Sequence, residues 1–227
     1  MLRSRSASPW LRAGLSGVLM ITAAWALSGC PEGSPASRPQ FATLAVGDEH
    51  VCALRGGATT NEVVCWGSNN EGQLGVENGD RCLAVPGLSG VTQLVAGAID
   101  TCALLNNGTV RCWGKVLDPS TGMLVTQTAP SDLTDARQIS AGAFHACALR
   151  AGGTVRCWGN EGFPGLGSNS DVPGLSGVTQ VSTGSQFACA VLTGGAVRCW
   201  GGNDFLRSAV GLSTSVEPWL TETRSIS

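Results

Sequence analysis

Apolar and polar positions alternate in short runs along most of the chain, and the runs recur in a fixed order. Thr43-Leu-Ala-Val-Gly, Gln93-Leu-Val-Ala-Gly, Gln138-Ile-Ser-Ala-Gly and Gln180-Val-Ser-Thr-Gly each read as a strand. A second strand follows each of them. These are Gly47-Asp-Glu-His-Val-Cys52-Ala-Leu54, Gly97-Ala-Ile-Asp-Thr-Cys102-Ala-Leu104, Gly142-Ala-Phe-His-Ala-Cys147-Ala-Leu149 and Gly184-Ser-Gln-Phe-Ala-Cys189-Ala-Val191. A third strand, Val-x-Cys-Trp-Gly, closes each unit at Trp66-Gly67, Trp113-Gly114, Trp158-Gly159 and Trp200-Gly201. The first cysteines are 50, 45 and 42 residues apart. That period, with several short strands per unit, suits the blade of a propeller.

Turn chemistry sets the pairing within each unit. Asn106-Asn107-Gly108 favours a tight hairpin, because Asn and Gly tolerate positive φ. Folding about that turn places Cys102 opposite Cys112, and the same register sets Cys147 against Cys157 and Cys189 against Cys199. Each of these pairs is ten residues apart; Cys52 and Cys65 are thirteen apart across the longer loop 55–62 and can still meet.

The pattern G-x-x-H-x-C-A-L, then G-x-V-x-C-W-G, then N-E-G-Q-L-G resembles the regulator of chromosome condensation repeat family. The fullest copy is VCALRGGATTNEVVCWGSNNEGQLG at 51–75, preceded by Gly47 and His50. The resemblance covers about residues 40–227 and implies an all-β fold, a β-propeller usually of seven four-stranded blades. The cysteine-bearing version looks like secreted bacterial members. The Gly-Gln-Leu-Gly tail is intact only at 72–75, and the repeat histidine, kept at His50 and His145, becomes Asp100 and Phe187 elsewhere. The nucleotide-exchange activity of particular members is not carried over by any residue here. Blades are expected at about 40–91, 92–135, 136–178 and 179–220, with a fifth starting at 221–227. There Thr221-Glu-Thr-Arg-Ser-Ile-Ser227 matches Thr134-Asp-Ala-Arg-Gln-Ile-Ser140. Seven blades of about 45 residues need roughly 315. The expectation is therefore an open or incomplete arc of about four blades, with a compact four-blade closure, or completion by a second chain, as alternatives.

The N-terminal segment is patterned differently. Residues 1–12 carry Arg3, Arg5 and Arg12 and no acid, and 13–27 are an apolar run of fifteen. A membrane span needs about 20, so the pattern reads as a secretory signal. Leu27-Ser-Gly-Cys30 resembles the lipobox of bacterial lipoproteins. The resemblance implies cleavage after residue 29, lipidation of Cys30 and a membrane anchor. Pro31 is not the aspartate that retains such proteins at an inner membrane, so an outer-membrane address is the expectation. Residues 30–39, rich in proline and small polar side chains, read as a tether.

Charge and cysteine usage narrow the function classes. Loss of the three leader arginines leaves 11 basic residues of the original 14 against 16 acidic, a mature charge of −5. That disfavours nucleic acid and anionic lipid surfaces. Ten cysteines are present, with no CxxC and only two histidines, so export makes disulfides the expectation over zinc. Cys82 has no repeat-equivalent partner and is either an idle thiol or a route to a disulfide dimer. Trp66, Trp113, Trp158 and Trp200, at one repeat position, read as inter-blade core rather than a sugar-stacking set. His50 and His145 read as hydrogen-bonding residues, and Asp48-Glu49 as a solvated loop. No cofactor, metal or catalytic residue is expected.

The leading functional expectation is a tethered, non-catalytic module whose variable loops at 68–90, 114–135 and 160–177 bind a protein partner. One alternative is a sialidase-like hydrolase, since Asn107-Gly-Thr-Val-Arg-Cys-Trp loosely resembles the sialidase box. The chain has no tyrosine to act as its nucleophile. The other alternative is an inactive part of a larger repeat protein.

Overall fold

The computed structural model describes residues 40–56, 62–76, 83–118, 122–159 and 168–202. Among them every regular element is a β-strand. The first blade comprises β1 (Gln40–Val46), β2 (His50–Gly56), β3 (Glu62–Gly67) and β4 (Leu83–Ala84). The second comprises β5 (Val91–Ala96), β6 (Asp100–Leu105), β7 (Val110–Asp118) and β8 (Met123–Thr126). The third comprises β9 (Ala136–Ala141), β10 (His145–Arg150), β11 (Val155–Gly159) and β12 (Ser168–Asp171). The fourth comprises β13 (Val178–Thr183), β14 (Phe187–Leu192) and β15 (Val197–Gly201). Each is an antiparallel meander in chain order. The leader, Cys30, the tether, Cys82 and the fifth repeat start lie outside the described residues.

A bulge in each first strand sets how blades stack. The ladder skips one residue at the same place four times, between Phe41 and Thr43, Val91 and Gln93, Ala136 and Gln138, and Val178 and Gln180. Strict alternation would send residues three apart to opposite faces. The extra residue restores them to one face. Val91 and Leu94 therefore both enter the core shared with the first blade, Ala136 and Ile139 the core shared with the second, and Val178 and Val181 the core shared with the third. Those three cores hold the arc together, each lying between consecutive blades.

The hairpin register sets cysteine against cysteine in every blade. The structure bridges Cys52–Cys65, Cys102–Cys112, Cys147–Cys157 and Cys189–Cys199. Cα separations are 4.0–4.1 Å, the close spacing of directly opposed residues. The bridges face the following blade: Cys52 and Cys65 pack with Leu94, Cys102 with Ile139, and Cys147 and Cys157 with Val181.

The ring does not close, so the compact four-blade alternative is corrected. The repeat position that is 5% exposed at Leu94 and 1% at Ile139 and Val181 is 60% exposed at Leu44. Among the described residues no blade covers it, and Val46 on the same strand is also exposed.

Each bridge closes a loop of eleven to fourteen residues, which in the chain-entropy account stabilises the fold by about 2.5–3 kcal/mol. Replacing both Cys102 and Cys112 by alanine is expected to lower the unfolding free energy by about that much in denaturant titration. Loss of under about 1 kcal/mol would contradict the assignment.

Candidate functional site

A glycine opens the turn from first to second strand in every blade. The amide of Gly47 donates to the carbonyl of His50 at 2.9 Å, and Gly97, Gly142 and Gly184 repeat the bond to Asp100, His145 and Phe187. Glycine is required by close approach. A Cβ on Gly97 would lie 2.1 Å from Asp100 Oδ1 and 2.5 Å from the carbonyl oxygen of Gly142. One on Gly142 would lie 2.2 Å from that of Gly184. The turns are also bonded blade to blade: Asp48 to Ala98, Ala98 to Ala143 and Ala143 to Ser185, amide to carbonyl at 3.3–3.4 Å.

Beneath these turns lie the variable repeat residues. His50, Asp100 and His145 are all buried. His50 Nε2 and Thr101 Oγ1 share a hydrogen bond of 2.8 Å between blades, and Thr101 donates onward to the Gln73 carbonyl at 3.0 Å. Neither carboxylate oxygen of Asp100 has a partner, nor does His145 Nε2. Burial pushes Asp100 up to about 8 and His145 down to about 4, and lowers His50 as well. These groups lie buried beneath the turns.

Two further devices lock the blades, and neither was anticipated from the sequence. Gln93 spans to the third blade, its Nε2 donating to the Ile139 carbonyl at 2.9 Å while its Oε1 accepts from the Ile139 amide at 2.8 Å. Gln138 does the same to Val181, at 3.2 and 3.0 Å. The recurrence of glutamine four residues ahead of three of the four turn glycines, with Thr43 in the first repeat, was the available signal. The second device is the Asn-Glu-Gly-Gln-Leu-Gly segment. Within loop 68–90, which was expected to serve interaction, Gln73 and Leu74 are buried. The Gln73 carbonyl accepts from Trp113 Nε1 at 2.9 Å. That stretch is a latch between the first two blades.

The tryptophans differ by position in the arc. Trp158 and Trp200 are buried, and Trp113 packs half-buried against the core of the first and second blades. Trp66 has no preceding blade and sits against Phe41, ring centroids 6.3 Å apart.

The two ends of the blades differ in regularity. At one end, the second-to-third-strand turns of the second, third and fourth blades bond to the loop entering their own blade in the same way. Asn106 donates to Gly90, Ala151 to Asp135 and Thr193 to Gly177, at 2.7–2.9 Å. Asn107 and Thr109 of the sialidase-like stretch form one such turn, Thr109 donating to Asn107 Oδ1, and its Cys112 is bridged. The other end carries the glycine turns, with Asp48, Glu49, Ile99, Phe144 and Gln186 at their tips, and the third-to-fourth-strand connections, which vary. β3, β11 and β15 stop at the glycine after tryptophan, but β7 runs on through Lys115–Asp118 and pairs with β8. Met123, Leu124 and Val125 of β8 are 66%, 39% and 42% exposed, and β8 is the last strand of its sheet among the described residues. Lys115 at its base pairs with Glu71 of the first blade at 3.0 Å. This hairpin lies within the expected interaction loop 114–135; of 160–177, the part at 160–167 lies outside the described residues. Among the described residues, no group of three or more His, Cys, Asp or Glu is placed to hold a metal ion.

Comparison with known proteins agrees with this architecture. The Regulator of chromosome condensation (RCC1) repeat matches residues 41–73, 136–163 and 178–205, the first, third and fourth blades. No curated protein matches the chain. The Prp20 protein of Saccharomyces cerevisiae is similar in structure, with a TM-score of 0.60, 20% identity, and coverage of 76% of this chain and 47% of that one. Human WBSCR16 also scores 0.60, at 22% identity, with 72% and 48% covered. The ectodomain of the Physcomitrella patens receptor kinase CR4 scores 0.51 at 28% identity, with 73% and 43% covered. The chain thus spans less than half the length of each.

The ionisable groups under the turns make stability depend on pH in opposite senses. From 3.8 to about 8, unfolded Asp100 releases a proton that folded Asp100 keeps, so stability falls as pH rises. Unfolded His145 takes up a proton below 6.5 that the folded form refuses down to about 4, so stability falls as pH drops there. Of these three groups, Asp100 alone acts between pH 6.5 and 8. The melting temperature is expected to decline over that interval, and Asp100→Asn to flatten the decline. An unchanged slope in the variant would remove Asp100 as the cause.

Proposed function

We propose that this chain is a lipid-anchored, extracytoplasmic binding module, without catalysis of its own, that takes a protein partner on the end of the arc bearing the glycine turns. One contrast carries the reading. The opposite end repeats itself in the second, third and fourth blades, whereas this end departs from the repeat where β7 and β8 raise an apolar edge at residues 123–125. A rigid frame carrying a variable loop is the usual arrangement of a recognition surface. The exposed Met123, Leu124 and Val125 side chains suit an extended apolar segment of a protein. The buried Asp100 and His145 serve the frame, and four bridged hairpins suit an oxidising compartment.

Similar propellers give limited support. The yeast RCC1 protein, Prp20, has been crystallised with Kap60 bound, and its structure was described with its binding to Gsp1p and histones. Protein binding is the general feature borrowed here; those particular partners are not.

A photo-crosslinking residue at Leu124, on the full chain in intact cells, is expected to trap one saturable protein adduct, and the same residue at Asn107 on the opposite end to trap none. Equal adducts from both positions would overturn the choice of face. For the anchor, Cys30→Ala is expected to abolish incorporation of labelled palmitate and to release the chain from sedimented membranes. Retention of both label and membrane association would refute lipidation at that residue.

A further inference from the structure

The boundary between the second and third blades buries polar atoms that find no partner among the described residues. They are Oδ1 and Oδ2 of Asp100, Nε2 of Gln127 and Nε1 of Trp158. Leaving such atoms unpaired is costly, and folded proteins avoid it. The boundary before it shows how the same positions are paired. There a single hydroxyl joins the two blades. Thr101 Oγ1 shares a hydrogen bond of 2.8 Å with His50 Nε2, donates to the Gln73 carbonyl at 3.0 Å and meets Cys52 Sγ at 3.7 Å. Trp113 Nε1 donates to that same carbonyl at 2.9 Å.

One blade on, Asp100 stands for His50, Ala146 for Thr101, Trp158 for Trp113 and Gln127 for Gln73. The backbone bears out the equivalence. Thr101 pairs with Trp113 across its hairpin, and Ala146 with Trp158. A Cβ on Gly114 would lie 3.2 Å from Gln73 Cα, and one on Gly159 would lie 3.4 Å from Gln127 Nε2. Ala146 and Trp158 share a core with Cys102, as Thr101 meets Cys52. Two of these exchanges remove reach. An aspartate side chain ends one bond short of a histidine Nε2, and alanine has no hydroxyl. The Asp100 acceptors and the Trp158 and Gln127 donors are thus left without the atom that would join them. The hydroxyl decides the matter, because at the third boundary Ala188 again replaces it and His145 Nε2 is again unpaired.

We propose that one buried water molecule takes the place of the Thr101 hydroxyl at the boundary of the second and third blades. It accepts from Trp158 Nε1 and Gln127 Nε2 and donates to the Asp100 carboxyl. A buried water typically makes about three hydrogen bonds to groups that the chain leaves unpaired. The mixture of donors and acceptors selects the ligand. A metal ion would meet the Trp158 N–H, which can only donate. An anion would meet the Asp100 carboxyl. Water gives and receives at once. The site belongs to the frame, so its failure leaves the partner reading intact.

A high-resolution crystal structure of the full chain tests this. The expected result is a water at about 2.7–3.2 Å from an Asp100 carboxyl oxygen and from Trp158 Nε1 or Gln127 Nε2. In Ala146→Ser, which restores the missing hydroxyl with little added bulk, that water is expected to be lost and the introduced oxygen to bond to Asp100. A dry boundary in the unaltered chain overturns the proposal. A direct bond from Trp158 or Gln127 to Asp100, or a metal ion in the site, overturns it too. So does a water that stays in place beside the introduced hydroxyl, since the two would then not share one position. If the variant does not fold, the unaltered chain decides alone.

Discussion

The whole arc depends on one contact: the aliphatic side chain of a first strand resting on the cystine of the blade before it. Leu94, Ile139 and Val181 each make that contact and are nearly sealed from solvent. The cystine does two things at once. It clamps its own hairpin, and it presents a compact, uncharged platform that the next blade covers. Blade stability and blade stacking therefore share the same atoms. Polar devices are laid around this contact, and they choose the register. Gln93 and Gln138 each satisfy one backbone donor and one acceptor of a neighbouring first strand, which would otherwise be buried without partners. The glycine turns let the inner strands approach until amide meets carbonyl across the blade boundary.

Much of this was legible from residues alone. The cysteines fell opposite one another because turn chemistry fixed the hairpin centre, and a two-residue period leaves little freedom once the centre is known. The open arc followed from repeat count. The bulges were not legible. Residues three apart seem to face opposite ways in a regular strand, and only the backbone shows that one residue at the same place in each blade steps out of the ladder. Gln73 and Leu74 were also misplaced. A glycine-rich, polar segment reads as exposed loop, yet its Asn69 side chain accepts from the Leu74 amide and donates to the Val76 carbonyl, closing the loop on itself so that Leu74 can bury. Asp100 could not have been assigned a buried state from composition, since an acid in a turn usually faces water.

Putting a carboxyl at the Asp100 position has a physical logic once its neighbours are considered. The site is walled by Gly97, Gly142 and the backbone turns, and it admits His, Asp or Phe in different blades. What these side chains share is a planar group one methylene from the backbone carbon, not charge. Burial then forces Asp100 toward its neutral form, as it forces His145 toward the neutral ring. A position that accepts an acid, a base and a benzene ring in turn is a packing position. Conserving chemistry there would serve no purpose, so variation at this residue carries no functional message.

The same reasoning separates frame from function elsewhere. Where a repeat position varies but stays covered, as at His50, Asp100 and His145, the frame has absorbed the change. Where the repeat itself is broken, as where β7 runs past Gly114 to meet β8, Val116 buries but Met123, Leu124 and Val125 are left exposed. Three exposed apolar side chains carry a solvation penalty and an aggregation hazard for an isolated chain. Contact with another molecule does offset both, and Lys115 bonded to Glu71 holds the hairpin's base against the first blade while its apolar edge stays outward. The exposure of residues 123–125 therefore points to contact with another molecule, whereas the variation at the buried repeat position is a matter of packing within the frame.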